Sequence, residues 1–185
     1  MERNYKILLR DSTALLLIDI QEKILNVMLS KDKLIGNCIK LIKGFKVLNL
    51  PVFFTEQYPK GLGSTTHFLQ KELEGLSAIQ KTSFSCYGAG NLFQRLKDNN
   101  IKQVVIAGIE SHVCVQQTVL DLLANNFQVD VCADAVSSRK ETDLNIALER
   151  MRSNNAEITS VESVLFELLQ ESRTEEFKKI SAIIK

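Results

Sequence analysis

Three residues combine reactive side chains with positions where a catalytic group is expected. Asp19, Lys81 and Cys114 each end or follow a short apolar segment that predicts a buried β-strand. A thiol can act as a nucleophile, a carboxylate can carry a proton, and a lysine supplies a fixed positive charge beside them. This set is sufficient for covalent hydrolysis of an amide or ester, provided that the fold brings the three strand ends together.

Cys114 has the best case among four cysteines. The long, irregular spacings of Cys38, Cys86, Cys114 and Cys132 argue against a structural zinc site. Cys38 falls on a predicted helix and Cys132 inside a predicted strand, so both are interpreted as core. Cys114 follows a turn at Gly108 and should lie in the first turn of a helix, where the helix dipole favours a thiolate. Cys86, in a loop, remains the rival.

Asp19 and Lys81 also have simpler explanations. A carboxylate after a strand could equally cap the following helix. A lysine at a strand end usually reaches solvent, although the polar, turn-like residues after Lys81 would let its side chain enter a pocket instead. Gln21 should point to the same side as Asp19 if the chain stays extended.

Alternating strand-like and helix-like segments predict a doubly wound α/β fold. Ser138 and Glu141 have the spacing of a capping box. No repeat or linker divides the chain, so residues 1–185 are expected to form one domain, with ligands bound beyond the carboxyl ends of the strands. The predicted strands cover residues 13–19, 51–55, 77–81, 103–107, 128–133 and 156–160. The predicted helices cover residues 31–50, 91–99, 113–125 and 138–154, followed by two helical stretches.

Composition narrows the class of protein. Among 185 residues, 45% are hydrophobic and 24% charged, and the net charge is +1, so we expect neither nucleic acid nor an acidic membrane as partner. No apolar run reaches the roughly 20 residues that span a bilayer. The first residues lack a secretory pattern, and we therefore expect a cytoplasmic protein.

Taken in order, these segments resemble the isochorismatase-like cysteine hydrolases. Residues 17–21 are similar to the family's hydrophobic-Asp-x-Gln opening, and residues 108–115 to its Gly-x-x-x-x-x-Cys-Val nucleophile segment. Residues 81–84 are similar to its Lys-x-x-x-Phe region, with a shorter spacing. The match extends through residues 133–135. Residues 55–59 and 108–114 look most like the short isochorismatase domain-containing subgroup.

The resemblance implies a three-layer α/β/α, Rossmann-like fold with a six-stranded parallel sheet. It implies that Cys114 forms an acyl-thioester, that Asp19 acts as general acid and base, and that Lys81 balances the charges. It also implies a non-proline cis peptide between Ile109 and Glu110, with the backbone N–H groups of Glu110 and Cys114 forming an oxyanion hole.

Further residues are candidates for the pocket wall. Gln21, Tyr58, Phe84, Ser111 and His112 are placed there, although Phe84 could equally be core. His112 lies two residues before the nucleophile, and such neighbours point in different directions on a helix, so lining the pocket or facing solvent is favoured over a role as base.

Two sequence differences from related enzymes limit the range of activities that we expect. Nicotinamidases carry an Asp-x-His…His metal site after the second strand, but residues 57–61 lack it and the only nearby histidine is His67. We therefore expect no metal and no cofactor. No site for a dianionic chorismate-like substrate is evident either. The prediction is a metal-independent amidase acting on a small molecule, expected as a homo-oligomer. One alternative is a catalytically weak scaffold protein. Another is a nucleic-acid enzyme, although the near-neutral net charge argues against it.

Overall fold

Six parallel strands form one sheet in a computed structural model that describes residues 3–185. The strands are β1 (Thr13–Ile18), β2 (Val52–Gln57), β3 (Ile79–Lys81), β4 (Gln103–Ile109), β5 (Gln128–Ser137) and β6 (Glu157–Thr159). The helices are α1 (Glu22–Leu25), α2 (Lys31–Val47), α3 (Pro59–Leu62), α4 (His67–Gln70), α5 (Leu92–Asp98), α6 (Gln116–Ala124), α7 (Glu141–Ser153), α8 (Val161–Leu169) and α9 (Glu175–Ile184).

The continuous apolar character of β1 follows from burial on both faces. All six of its residues are buried. Leu15 and Leu17 pack into the core on one face, and Leu16 and Ile18 into the core on the other. Helices cover both faces of the sheet, with α2, α8 and α9 against the first core and α5, α6 and α7 against the second. The predicted three-layer α/β/α fold is confirmed.

The strand order β3-β2-β1-β4-β5-β6 defines a switch point between β1 and β4. The chain winds away from β1 in one direction and away from β4 in the other, which leaves a crevice beyond their carboxyl ends. Gly108 of β4 allows the two strands to approach closely there. Its φ is +151°, and a Cβ at this position would lie 2.5 Å from the carbonyl oxygen of Ile18.

The predicted capping box at Ser138 is wrong. β5 continues to Ser137, beyond the predicted end at residue 133, and α7 begins only at Glu141, with Lys140 at its N-cap. Ser138 directly follows β5, and its carbonyl accepts a hydrogen bond from Leu29 N–H. Within the described residues, no helix is both long enough and apolar enough to cross a bilayer.

Candidate active site

A buried ion pair lies beyond the carboxyl ends of β1 and β3. Lys81 Nζ is 2.6 Å from Asp19 Oδ2, and both side chains are almost fully buried, 0% and 4% exposed. Asp19 directly follows β1 and has φ +53°, a left-handed conformation that aspartate tolerates better than most residues. Burying two charges is costly unless each is paired and hydrogen-bonded, so this arrangement needs further polar partners.

The surrounding residues supply those partners. Lys81 Nζ also donates to Gln57 Oε1 at 2.8 Å and to the carbonyls of Phe84 and Ser83 at 2.9 and 3.1 Å. Thr55 Oγ1 donates to Asp19 Oδ1 at 2.8 Å. The ammonium is thus surrounded by acceptors, and both oxygens of the carboxylate are held by donors. This network fixes the position of the carboxylate beside the ammonium group.

Cys114 lies at the carboxyl end of β4, as the spacing predicts. The segment Ser111–Val115 forms a π-helical turn that leads into α6, so the helical region begins two residues before the predicted position. The carbonyl of Glu110 accepts hydrogen bonds from Val113 N–H at 3.0 Å and Val115 N–H at 3.3 Å. Wide turns of this kind occur frequently at functional sites.

The surroundings of Cys114 do not favour the expected thiolate. Burial, and next the negative charge of Asp19, raise the pKa of the Cys114 thiol well above its ordinary value, and the opposing effect of Lys81 is smaller. Loss of solvent and the nearby carboxylate oppose the thiolate that a helix N-terminus would favour. The resting form is therefore the thiol, and it needs a base at the moment of attack.

The other three cysteines are buried thiols outside the cavity that holds Cys114. Burial raises the pKa of Cys38 to about 12 and that of Cys86 to about 11. Burial also raises the pKa of Cys132 well above its ordinary value. Cys86, the rival nucleophile, lies beneath Thr55, with Sγ 3.8 Å from Oγ1.

Cys114 and Asp19 line one cavity of about 80 Å³. Its polar wall also includes Gln57 and Glu110, and its apolar wall consists of Ile24, Leu62, Phe84, Ile109 and Val113. Phe84 thus lies in the lining of this cavity. Other depressions exist, such as one of about 150 Å³ between Ser30 and Asp134, but its lining contains no cysteine.

Four residues predicted to line the pocket lie outside this cavity. Gln21 is buried and braces β2, because its Oε1 accepts from Gln57 N–H at 2.7 Å and its Nε2 donates to the Gln57 carbonyl at 3.0 Å. Ser111 Oγ donates to the Ser137 carbonyl at 2.9 Å. Both side chains are hydrogen-bonded to backbone groups, so they support the site without lining the cavity.

Tyr58 and His112 also point elsewhere. Tyr58 is the N-cap residue of α3, with φ +38°, and lines a separate, open depression together with Lys60 and Thr82. The Nδ1 atom of His112 lies 3.0 Å from Ser138 Oγ, and its Nε2 lies 3.9 Å from Asp143 Oδ2. The ring thus turns toward α7, in agreement with the argument against a Cys–His dyad.

The cis peptide expected between Ile109 and Glu110 is wrong for this structure, since residues 3–185 contain no cis bond. A trans bond is lower in energy by about 3–4 kcal/mol. Glu110 instead has a recognisable role for its side chain, because Oε1 accepts a hydrogen bond from Arg139 Nε at 2.7 Å. The oxyanion hole built on Glu110 and Cys114 stays a prediction.

Several residues of the site were not predicted from the sequence. Thr55 and Gln57 hold the ion pair, Ile24 and Leu62 form much of the apolar wall, and Arg139 pairs with Glu110. One signal was present: the apolar strand β2 ends in Thr-Glu-Gln, a polar run at a carboxyl end. Among the described residues no group of three or more His, Cys, Asp or Glu is arranged to hold a metal ion.

The fold and site together define a doubly wound α/β protein with a cysteine, a carboxylate and a lysine at the switch point. The Isochorismatase domain family matches residues 13–163, and the chain belongs to this family. Isochorismatase family protein 1A of Dictyostelium discoideum is 40% identical over 178 residues, which cover 93% of this chain and 86% of that protein.

Two solved structures have closely similar folds. MAR1 ribonuclease from Caenorhabditis elegans has a TM-score of 0.90 and 35% identity, covering 96% of this chain and 91% of its own. YcaC from Pseudomonas aeruginosa, solved with hexane-2,5-diol and covalent acrylamide, has a TM-score of 0.91 and 25% identity, covering 99% and 92%. The family and the fold are thus established, and the chain is similar to proteins with differently named activities.

Proposed function

We propose that the protein is a metal-independent cysteine hydrolase that cleaves the C–N bond of a small amide through an acyl-thioester on Cys114. The observation that carries this proposal is that Cys114 and Asp19 line the same small cavity, while Asp19 is fixed by Lys81 at 2.6 Å. A buried thiol beside a held carboxylate is the pairing that general-base activation of a nucleophile requires.

In the first half of the reaction, Asp19 takes the thiol proton as Cys114 Sγ forms a bond to the substrate carbonyl carbon. The carbonyl π electrons move onto oxygen, which would be held by backbone N–H groups of Glu110 and Cys114. Collapse breaks the C–N bond, and Asp19 returns the proton to the departing nitrogen. Lys81 offsets the carboxylate's charge, so proton transfer takes place beside a fixed cation.

The second half regenerates the enzyme. Water attacks the acyl-thioester while Asp19 accepts one of its protons, and the C–S bond then breaks to release a carboxylic acid and restore the Cys114 thiol. Gln57 and Thr55 keep the ion pair in place throughout. The covalent acrylamide found with YcaC supports access of a small neutral amide to a site on this fold.

The raised pKa of Cys114 favours a second candidate, a catalytically weak protein that serves as an interaction or scaffold subunit. A ribonuclease-like activity, suggested by the C. elegans relative's name, is less well supported. The cavity of about 80 Å³ is small for a nucleotide, and His112 turns away from Cys114 toward Ser138. The net charge of +1 offers little attraction for RNA.

The test is a screen of small primary amides, with ammonia release and the intact mass of the protein followed together. We expect an acyl adduct on Cys114 and a loss of at least about 10³-fold in rate for Cys114→Ala. Cys132→Ala removes a buried sulfur outside the cavity and should retain activity. Activity should survive chelation by EDTA. Full activity in Cys114→Ala would contradict the proposal, and a folded wild type that turns over no amide would favour the scaffold.

A further inference from the structure

The walls of the cavity are mostly hydrocarbon. Ile24, Leu62, Val113 and Phe84 face the space into which Cys114 opens. A water molecule needs about 10–15 Å³ of such volume, so about 80 Å³ corresponds to roughly half a dozen waters. A substrate of that size has only a few heavy atoms beyond its carbonyl group. Its substituent would be stabilised by losing contact with water against these side chains.

The charges around the cavity are already paired. The Lys81 side chain is 0% exposed and is surrounded by Asp19, Gln57 and two carbonyls, so it is not available to a substrate. The Glu110 side chain is 12% exposed and is held by Arg139, which is 56% exposed and lies outside the lining. The residues of the lining therefore include two acidic side chains, each paired with a cation outside the lining, and no Lys or Arg.

We infer that this cavity selects small uncharged carbonyl compounds with an apolar substituent, and that Glu110, held by Arg139, excludes anionic ones. The inference deepens the proposed function and rests on Cys114 being the reacting group. A carboxylate substrate would meet the negative oxygens of Glu110 and Asp19 while losing its own hydration. A neutral amide meets the same oxygens as hydrogen-bond acceptors for its N–H groups.

Glu110 determines specificity through its own charge and through Arg139. While the carboxylate is present, Arg139 Nε is bound to Oε1 at 2.7 Å and its positive charge is offset. Removing the carboxylate's charge leaves an uncompensated guanidinium near the cavity, which would attract anions. The Glu110→Gln substitution should thus turn the exclusion of anionic compounds into an attraction for them.

Iodoacetamide and iodoacetate provide a matched pair of probes, since they differ mainly in charge. In both reactions Cys114 Sγ forms a bond to the CH₂ carbon, iodide leaves with the C–I electron pair, and the thiol proton passes to Asp19. Rates at Cys114 are measured on the full-length protein by peptide mass spectrometry. The ratio of the two rates is divided by the ratio for glutathione, which removes the intrinsic reactivity difference.

We expect wild type to prefer the neutral probe by about tenfold beyond glutathione, the order that one nearby carboxylate imposes near a protein surface. Glu110→Gln should lower this corrected preference severalfold, to the glutathione value or below it. Arg139→Gln, at an exposed side chain, should raise it and serves as a second test should Glu110→Gln fail to fold. Glu149→Gln, with the same charge change on the exposed face of α7, should leave it unaltered.

A wild-type ratio equal to that of glutathione would overturn the inference, as would a ratio unaffected by both Glu110→Gln and Arg139→Gln. These outcomes can be separated from failure of the proposed function. If Cys114 selects its probes by charge but no amide is turned over, the inference on selectivity is supported and the proposed hydrolase activity is contradicted. Hydrolysis of anionic and neutral amides at equal rates would remove the inference alone.

Discussion

The carboxyl and amino edges of the sheet, where the parallel strands end and begin, each contain a buried aspartate. The two aspartates have different surroundings. At the carboxyl edge, Asp19 follows β1 and is paired with Lys81 at 2.6 Å. At the amino edge, Asp130 is the third residue of β5, is 3% exposed, and accepts a hydrogen bond from Gln128 Nε2 at 2.9 Å. The difference between them is a buried cation at hydrogen-bonding distance.

The amino edge shows what burial does without such a partner. Burial raises the pKa of Asp130 to about 7, and the nearby carboxylates of Glu167 and Glu157 add to this, whereas Gln128 and, more weakly, Lys6 oppose it. Asp130 is therefore partly protonated at neutral pH. A carboxyl group can act as a general base only in its ionised form. Asp19, unlike Asp130, has a buried cation beside it that offsets the charge of the carboxylate.

Breaking the carboxyl-edge pair should have the largest effect. Asp19→Asn removes the base and leaves Lys81 as an uncompensated buried cation. We expect amidase activity to fall about 10²–10⁴-fold and the free energy of unfolding to fall by about 3–5 kcal/mol. Initial rates and urea denaturation measure the two effects.

Lys81→Met tests whether the cation matters through the carboxylate. It keeps the apolar stem but removes the charge, so Asp19 should resemble Asp130 and activity should fall even though the base is retained. Cys114→Ala leaves the ion pair intact and should lose activity without a comparable loss of stability. If Lys81→Met kept full activity at neutral pH, the buried cation beside Asp19 would not be needed for catalysis.

Asp130→Asn should produce a smaller effect that depends on pH. The folded pKa of about 7 lies above the ordinary value of 3.8, so the folded protein holds a proton that the unfolded chain has released between these values. Wild-type stability contributed by this group is complete below about pH 4 and is lost as pH rises through 7. Each pKa unit corresponds to about 1.4 kcal/mol, so the loss amounts to about 4 kcal/mol at most.

The variant should thus become more stable relative to wild type as the pH rises from 4 to 8, with amidase activity unaffected. Urea denaturation at several pH values measures this difference. Asp98→Asn, an exposed aspartate at the end of α5, provides the control and should show no such trend. A stability difference that is independent of pH would contradict the raised pKa of Asp130.

The sequence was sufficient to find the residues that end strands. Asp19, Lys81 and Cys114 follow apolar runs, and parallel strands bring their carboxyl ends to one edge, so their convergence was predictable. The sheet and its covering helices followed from the same alternation of segments. The local geometry at the strand ends was less predictable, because β5 runs on to Ser137 and Cys114 lies on a π-helical turn.

The remainder of the site depends on distances that a sequence does not contain. Gln21 was assigned to the pocket from its direction, but its amide is taken up by the backbone of Gln57. Ile24 and Leu62 come from short helical turns whose packing is set by tertiary contacts. The pKa of Cys114 depended on the balance between burial, Asp19 and Lys81, and only the folded arrangement decides which of these dominates.

Thr55→Val should give the smallest effect. It tests whether the cation of Lys81 alone is enough to hold the carboxylate of Asp19. Thr55 is buried, and its hydroxyl donates to Asp19 Oδ1 at 2.8 Å. A hydrogen bond to a charged group is worth about 1.5–3 kcal/mol, and partial compensation by Lys81 should reduce the loss. We expect kcat to fall about tenfold while KM changes little, since Thr55 lies outside the cavity lining and acts as a positioning residue.

Thr55→Ser restores the hydroxyl with one methyl group fewer and should recover most of the lost kcat, whereas a purely structural role would make both variants similar. The two substitutions leave Lys81 and its four acceptors in place, so stability should change far less than in Asp19→Asn. Equal kcat values for wild type and Thr55→Val would mean that the ion pair suffices. Recovery by serine would mean that the base needs both a cation on one oxygen and a donor on the other, a combination that Asp130 lacks.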